Sequence, residues 1–114
     1  MTIFQRNAHI LSNIEIAPGH YRMSIKIPDI ARIVQPGQFL HILCNSSHEP
    51  LLRRPFSVYR VNKKVIEILY KVIGKGTTIL SERCKGEELD VIGPLGTPFK
   101  IDDGVKEAII IAGG

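Results

Sequence analysis

The segment Arg53-Arg54-Pro55-Phe56-Ser57 combines residue types that suit a nucleotide carrying a planar ring. Arg54 offers a rigid fork of donors for a diphosphate. Phe56 supplies an aromatic surface able to cover a ring system, and Ser57 supplies donors and acceptors for its polar edge. Pro55 fixes the local backbone and removes one ladder donor, which predicts an edge strand or an irregular strand start. About twenty residues on stands Gly74-Lys75-Gly76-Thr77-Thr78. Glycines allow close backbone approach to a phosphate, and a strand-to-helix turn presents N–H groups to an anion. The order and spacing of glycine, lysine and threonine are not those of a Walker loop. Read singly, the first is more often a solvated arginine pair at a strand start and the second a plain strand-to-helix turn. Flanking one hairpin, they predict that Arg54 and Gly76-Thr77 face the same diphosphate.

Other chemistry finds little support. His41 and Cys44 lie three apart on an expected strand and so on opposite faces, and His9, His20 and His48 lack ligand partners at useful spacing. No metal site is expected. Ser57 and Ser81 have no neighbouring histidine–acid arrangement and no Gly-x-Ser-x-Gly elbow. Cys84, between Arg83 and Lys85, falls at the end of a predicted short helix, where the dipole opposes a thiolate; a packed thiol is expected.

Charge singles out the same region. The chain of 114 residues carries a net charge of +4, yet residues 53–75 hold seven arginines and lysines against Glu67 alone, a local balance of +6 that leaves the rest at −2. A basic stretch in a mildly acidic chain fits a localised anionic ligand, or simply solvated strand faces. With 44% hydrophobic and 23% charged residues, the composition is that of an ordinary globular domain. Two cysteines make no disulfide framework, and no leader or membrane-spanning run is visible, so a cytoplasmic location is expected.

The elements that must position these residues read as strands. In Tyr21-Arg22-Met23-Ser24-Ile25-Lys26-Ile27 every second residue is apolar, and a less regular stretch with Ile10, Ile14 and Ile16 precedes it across Pro18-Gly19. Residues 8–27 therefore predict a hairpin, ended by Pro28-Asp29. Pro36-Gly37 leads into a buried strand, 38–44, followed by the polar loop Asn45-Ser46-Ser47-His48-Glu49-Pro50. Residues 56–61 and 65–72 predict paired strands around Asn62-Lys63-Lys64. Thr77 or Thr78 can cap a short helix reaching about Cys84. Leu89-Asp90-Val91-Ile92 predicts a short strand closed by the turn Gly93-Pro94-Leu95-Gly96. About six strands and one short helix describe an all-β fold, a small antiparallel Greek-key barrel. Ala108 to Ala112 then predicts a trailing apolar strand running into Gly113-Gly114, as at the start of an α/β nucleotide-binding domain.

Taken in order, Pro36-Gly37-Gln38-Phe39, Arg54-Pro55-Phe56-Ser57, Leu69-Tyr70-Lys71-Val72, Gly74-Lys75-Gly76-Thr77 and Gly93-Pro94-Leu95-Gly96 resemble the ferredoxin-reductase-like flavoproteins, and among them the electron-transfer subunits of NAD-dependent dihydroorotate dehydrogenase. The resemblance covers nearly the whole chain. It implies a barrel that binds FAD through Arg54, Pro55, Phe56 and Ser57, with Arg54 at the diphosphate and Ser57 at the flavin's redox edge. Leu69, Tyr70 and Lys71 would border the cofactor, and Gly76 and Thr77 would donate to the diphosphate. It also implies a partner, an FMN-containing catalytic subunit that oxidises dihydroorotate. The family's NAD domain and [2Fe-2S] cysteine cluster are not expected on this chain, which divides as 1–101, the FAD domain, and 102–114, a linker and first strand of the next. The competing readings are a subunit of another ferredoxin/NAD(P) reductase and a basic module for nucleic acid or a protein. Nucleic acid is disfavoured because Phe56, Tyr59 and Tyr70 are the only aromatics in the basic stretch, and the chain has no tryptophan.

Overall fold

A computed structural model describes residues 2–45 and 52–113. The polar loop with His48, and the final glycine, lie outside the described residues. Seven strands form one antiparallel sheet: β1 (Phe4–Ala17), β2 (His20–Lys26), β3 (Phe39–Leu43), β4 (Arg53–Ser57), β5 (Arg60–Asn62), β6 (Val65–Lys71) and β7 (Glu88–Leu95). Their spatial order, β4-β3-β7-β1-β2-β6-β5, places β7 between β3 and β1, the long-range return expected of a Greek key. Two helices accompany them, α1 (Pro28–Ala31) and α2 (Lys75–Ser81), so the single expected helix is one of a pair. Proline at the first turn of α1 lacks only an N–H that a helix start leaves unpaired, which lets Pro28-Asp29 begin a helix rather than merely end a strand.

The core follows the two-residue period. Met23 and Ile25 on β2 and Ile66, Ile68 and Tyr70 on β6 point inward, as do Ala8 and Ile10 on β1, Leu40 and Ile42 on β3, and Leu89 and Val91 on β7. On β1 the period breaks. Its pairing to β2 shifts between Ile10 and Ser12, so Leu11 is an extra residue. Beyond that bulge Asn13 pairs with the buried Met23, and Ile14 pairs with Arg22. Ile14 and Ile16 are therefore exposed, while Asn13 is turned toward the interior.

Three expectations about strands change. The stretch 56–61 is not one strand: β4 pairs with β3, and only β5 pairs with β6, over Val65, Ile66 and Glu67. β7 does not stop at Ile92 but continues through Gly93-Pro94 to Leu95, which pairs with Phe39. A side chain at Gly93 would sit 2.7 Å from Leu40 Cδ2, so glycine is what lets the strand pass. Finally, residues 108–112 form no strand. Ile109, Ile110 and Ile111 are about nine-tenths exposed, with no neighbouring strand among the described residues to supply a ladder.

The barrel is also not closed by hydrogen bonds. β4 and β5 are the two edges of the sheet, and β5 is too short to cover Ile68–Lys71. The gap is bridged by side chains: β4 packs against β6, with the Phe56 ring edge-on to Tyr70 at 5.8 Å between centroids, and Tyr70 stacked on Tyr21 at 5.5 Å. Truncating Phe56 to alanine should cost about 3–5 kcal/mol, the usual loss for a core phenylalanine. Urea unfolding should show a lower midpoint at unchanged slope.

Candidate functional site

The seam between β4 and β6 opens into a cavity of about 390 Å³ lined by Arg54, Pro55, Phe56, Ile73, Gly74, Lys75, Gly76 and Thr77. Both sequence signals thus meet in one place, although β4 and β6 share no ladder. What brings them together is the crossing of β4 to the far edge of the sheet, where α2 begins. Gly76 is buried against Arg54: a Cβ there would stand 3.2 Å from Arg54 Cγ, 3.5 Å from its Nε and 3.6 Å from Cys44 Sγ. Glycine permits that approach and leaves the turn's backbone open to the cavity.

The turn itself is built by its threonines. Thr77 Oγ1 accepts from the N–H groups of Ile73 at 2.9 Å and Gly74 at 3.1 Å, while Thr78 Oγ1 donates to Gly74 O at 2.7 Å. Thr77 therefore reaches back from the first helical turn to tie down the incoming strand. The N–H groups of Lys75, Gly76 and Thr77 have no acceptor inside the helix. The helix ends at Ser81 rather than Cys84, and Cys84 is exposed instead of packed.

The two arginines have separate uses. Arg53 is the half-buried one: its side chain is 15% exposed and Nη2 donates to Asp90 Oδ1 at 3.0 Å, pinning β4 to β7. Arg54 is exposed, and among the described residues its Nη1 donates to the neighbouring Arg53 carbonyl at 3.0 Å. Among the described residues no carboxylate lies within ion-pair reach of Arg54. Arg60, further along the basic stretch, is 3.9 Å from Glu67. The local excess of charge is thus partly used inside the fold, by Arg53 and Arg60.

Of the other sequence-derived site residues, only some line this cavity. Pro55 and Phe56 line it, but Phe56 is 7% exposed and packed into the core, so it offers an edge rather than an open stacking face. Ser57 is exposed at the end of β4, opposite Phe39, and does not line the cavity. Leu69, Tyr70 and Lys71 line a second, smaller hollow of about 180 Å³ with Ile16, His20 and Tyr21. Tyr70 is buried, while Leu69 and Lys71 point outward. Ile73, Gly74 and Lys75 complete the cavity; only the two in the glycine turn carried a sequence signal. Among the described residues no three histidine, cysteine or acidic side chains come together as metal ligands.

Beneath the site, burial pushes the Cys44 thiol above its ordinary 9.0, partly opposed by Arg54 and Arg83. Burial likewise raises the Tyr70 hydroxyl well above its ordinary 10.0. Both groups keep protons in the folded chain that the unfolded chain releases at alkaline pH. Their contribution to stability is therefore complete below pH 9 and is lost as pH rises toward the folded values. Thermal melts should show the midpoint falling above pH 9.0, with the fall beginning later in Cys44→Ala.

No protein-family model matches this chain. Its fold does match solved flavin reductases. The NADH-dependent reduced ferredoxin-NADP oxidoreductase, described for flavin-based electron bifurcation, superposes with a TM-score of 0.77 at 29% identity, covering 84% of this chain and 35% of that one. The ferredoxin reductase of carbazole 1,9a-dioxygenase gives 0.73 at 21% identity, covering 90% and 33%, which bears on the fold alone. The chain is thus a ferredoxin-reductase-like β domain. In sequence it is related to the electron transfer subunits of dihydroorotate dehydrogenase B (NAD(+)). The Desulforamulus reducens subunit is 41% identical over 110 residues, 95% of this chain and 42% of that protein. The Streptococcus mutans subunit is 42% identical over 117 residues, 98% and 44%. The chain spans less than half the length of these relatives.

Proposed function

We propose that this chain is the FAD-binding part of an electron transfer subunit that passes electrons from dihydroorotate oxidation toward NAD. The observation that carries the reading is the convergence of Arg54, which has no carboxylate partner among the described residues, and the Gly74–Thr77 turn on one cavity, in a fold shared with flavin reductases. The donor set fits a diphosphate: one guanidinium fork, backbone N–H groups at Gly76 and Thr77, and Lys75 at the rim. In this reading Arg54, Gly76 and Thr77 hold the diphosphate. Pro55 and Phe56 fix the strand that carries Arg54, and Ser57 meets the polar edge of the flavin. Leu69, Tyr70 and Lys71 border the remainder of the cofactor.

FAD, when bound, supplies the electron-carrying chemistry; the chain's own residues bind it, orient it and shield one side from water. Residues 1–101 serve as the FAD domain and 102–114 as a linker and the start of a following domain. The partner is an FMN-containing dihydroorotate dehydrogenase catalytic subunit in the cytoplasm. No helix among the described residues is long and apolar enough to cross a membrane. The 29% likeness to the bifurcating reductase supports a second reading, a subunit of another ferredoxin/NAD(P) reductase. Co-purification with a dihydroorotate-oxidising subunit separates the two.

The test is FAD titration followed by flavin absorbance and fluorescence. Arg54→Ala should weaken binding about 10–100-fold, the loss expected for charge-assisted hydrogen bonds. Arg53→Ala should lower stability through Asp90 and leave affinity nearly unchanged. Failure of the parent chain to bind at any FAD concentration would refute the reading.

Gly76→Ala gives a sharper contrast. Alanine in a helix is favoured over glycine by up to about 1 kcal/mol, so stability should hold or rise. The new methyl displaces Arg54, so FAD affinity should fall. Melting and titration on the same preparation check both halves.

A further inference from the structure

Asn13 makes more hydrogen bonds in this fold than its place on a long strand would require. Its Nδ2 donates to Leu80 O at 3.0 Å, to Arg83 O at 3.0 Å and, more loosely, to Ser81 O at 3.4 Å. These carbonyls belong to the last turn of α2 and the residues just after it, where a helix runs out of its own donors; Leu80 O also accepts from the Arg83 N–H at 3.1 Å. The Asn13 Oδ1 accepts from the Tyr70 hydroxyl at 2.8 Å, which fixes the orientation of the amide. The Leu11 bulge is what turns Asn13 inward to reach them. A second clamp acts from the other side, where Arg83 donates to Cys44 O at 3.2 Å and to Glu88 O.

The helix so held is only seven residues long, and Gly76 lies one turn before Leu80 on the same face. Both residues are buried, Leu80 completely, and Gly76 rests on Arg54. A shift at the carbonyl end of so short a helix carries its whole length along, and Gly76 and Thr77 move relative to Arg54.

We propose that Asn13 is a positioning residue for the anion-binding edge, holding α2 by its C-terminal carbonyls so that Gly76 and Thr77 stand at a fixed distance from Arg54. The role rests on the reading of that edge as a diphosphate site. Asn13 does not line the cavity, so its influence on the Gly76-Thr77 edge passes through the helix. A purely architectural asparagine would affect every ligand of the domain alike. A positioning one affects the diphosphate and spares the ring.

The test compares ADP and riboflavin, which carry the diphosphate and the flavin ring separately, against Asn13→Asp. That variant keeps the acceptor for Tyr70 but turns a carboxylate oxygen toward three carbonyls. ADP binding should weaken about tenfold and riboflavin binding less than about twofold. Hydrogen exchange at residues 75–80 of the unliganded chain should quicken, with β2 and β6 unchanged. Asn13→Ser, whose shorter side chain no longer spans to the α2 carbonyls, should give the same split and serves if the aspartate variant does not fold. Equal weakening of both ligands, or unchanged exchange in α2, overturns the proposal while leaving the flavin site standing. A parent chain that binds neither ADP nor FAD removes the diphosphate reading itself, and Asn13's role with it.

Discussion

The contact between Phe56 and Tyr70 joins two strands that share no hydrogen bonds, and the site depends on it. β5 pairs only with Val65, Ile66 and Glu67, so the second half of β6 lacks a neighbour on that side. β4 fills the space with side chains instead of a ladder. A closed ladder there would give β4 and β6 a backbone pairing and leave no opening between them. The side-chain seam keeps the domain together and leaves the opening that α2 borders, with Arg54 on one lip and Gly76 on the other. Fold stability and ligand access thus compete for the same few residues, and the balance is struck by one aromatic pair.

Electrostatics divides the adjacent arginines along the same line. Arg53, pointing toward β7, is paired with Asp90 in a partly buried setting, where loss of either partner strands a charge. Arg54, on the opposite side of the strand, stands at the seam. Alternation along an extended strand is enough to send one cation into the fold and the next to the surface. Proline at position 55 is tolerated because β4 is an edge strand and needs only one ladder.

Much of this was legible in the sequence wherever the two-residue period was unbroken. The alternation of β2 and β6, the hairpin across Pro18-Gly19 and the buried Leu40 and Ile42 all follow from it. The period failed at Leu11, because a bulge reverses which side chains face inward and carries no composition of its own. Ile14 and Ile16, on the less regular stretch, are therefore exposed, and Asn13 is turned into a part-buried network. Arg54 and Gly76-Thr77 line one cavity, but across a side-chain seam and not along the hairpin that the sequence predicts. The sequence marks Phe56 as an aromatic surface, and its burial follows only from the packing of β4 against Tyr70. The apolar run from Ala108 to Ala112 has strand composition, but a strand needs a ladder partner, and none stands beside it among the described residues.

The most direct measurement is an ADP titration of the isotopically labelled chain followed by amide and arginine side-chain resonances. The account predicts saturable shifts concentrated at the Gly76 and Thr77 amides and at Arg54 Nε, with Arg53 Nε unmoved. Shifts centred elsewhere, or none at all, would contradict it.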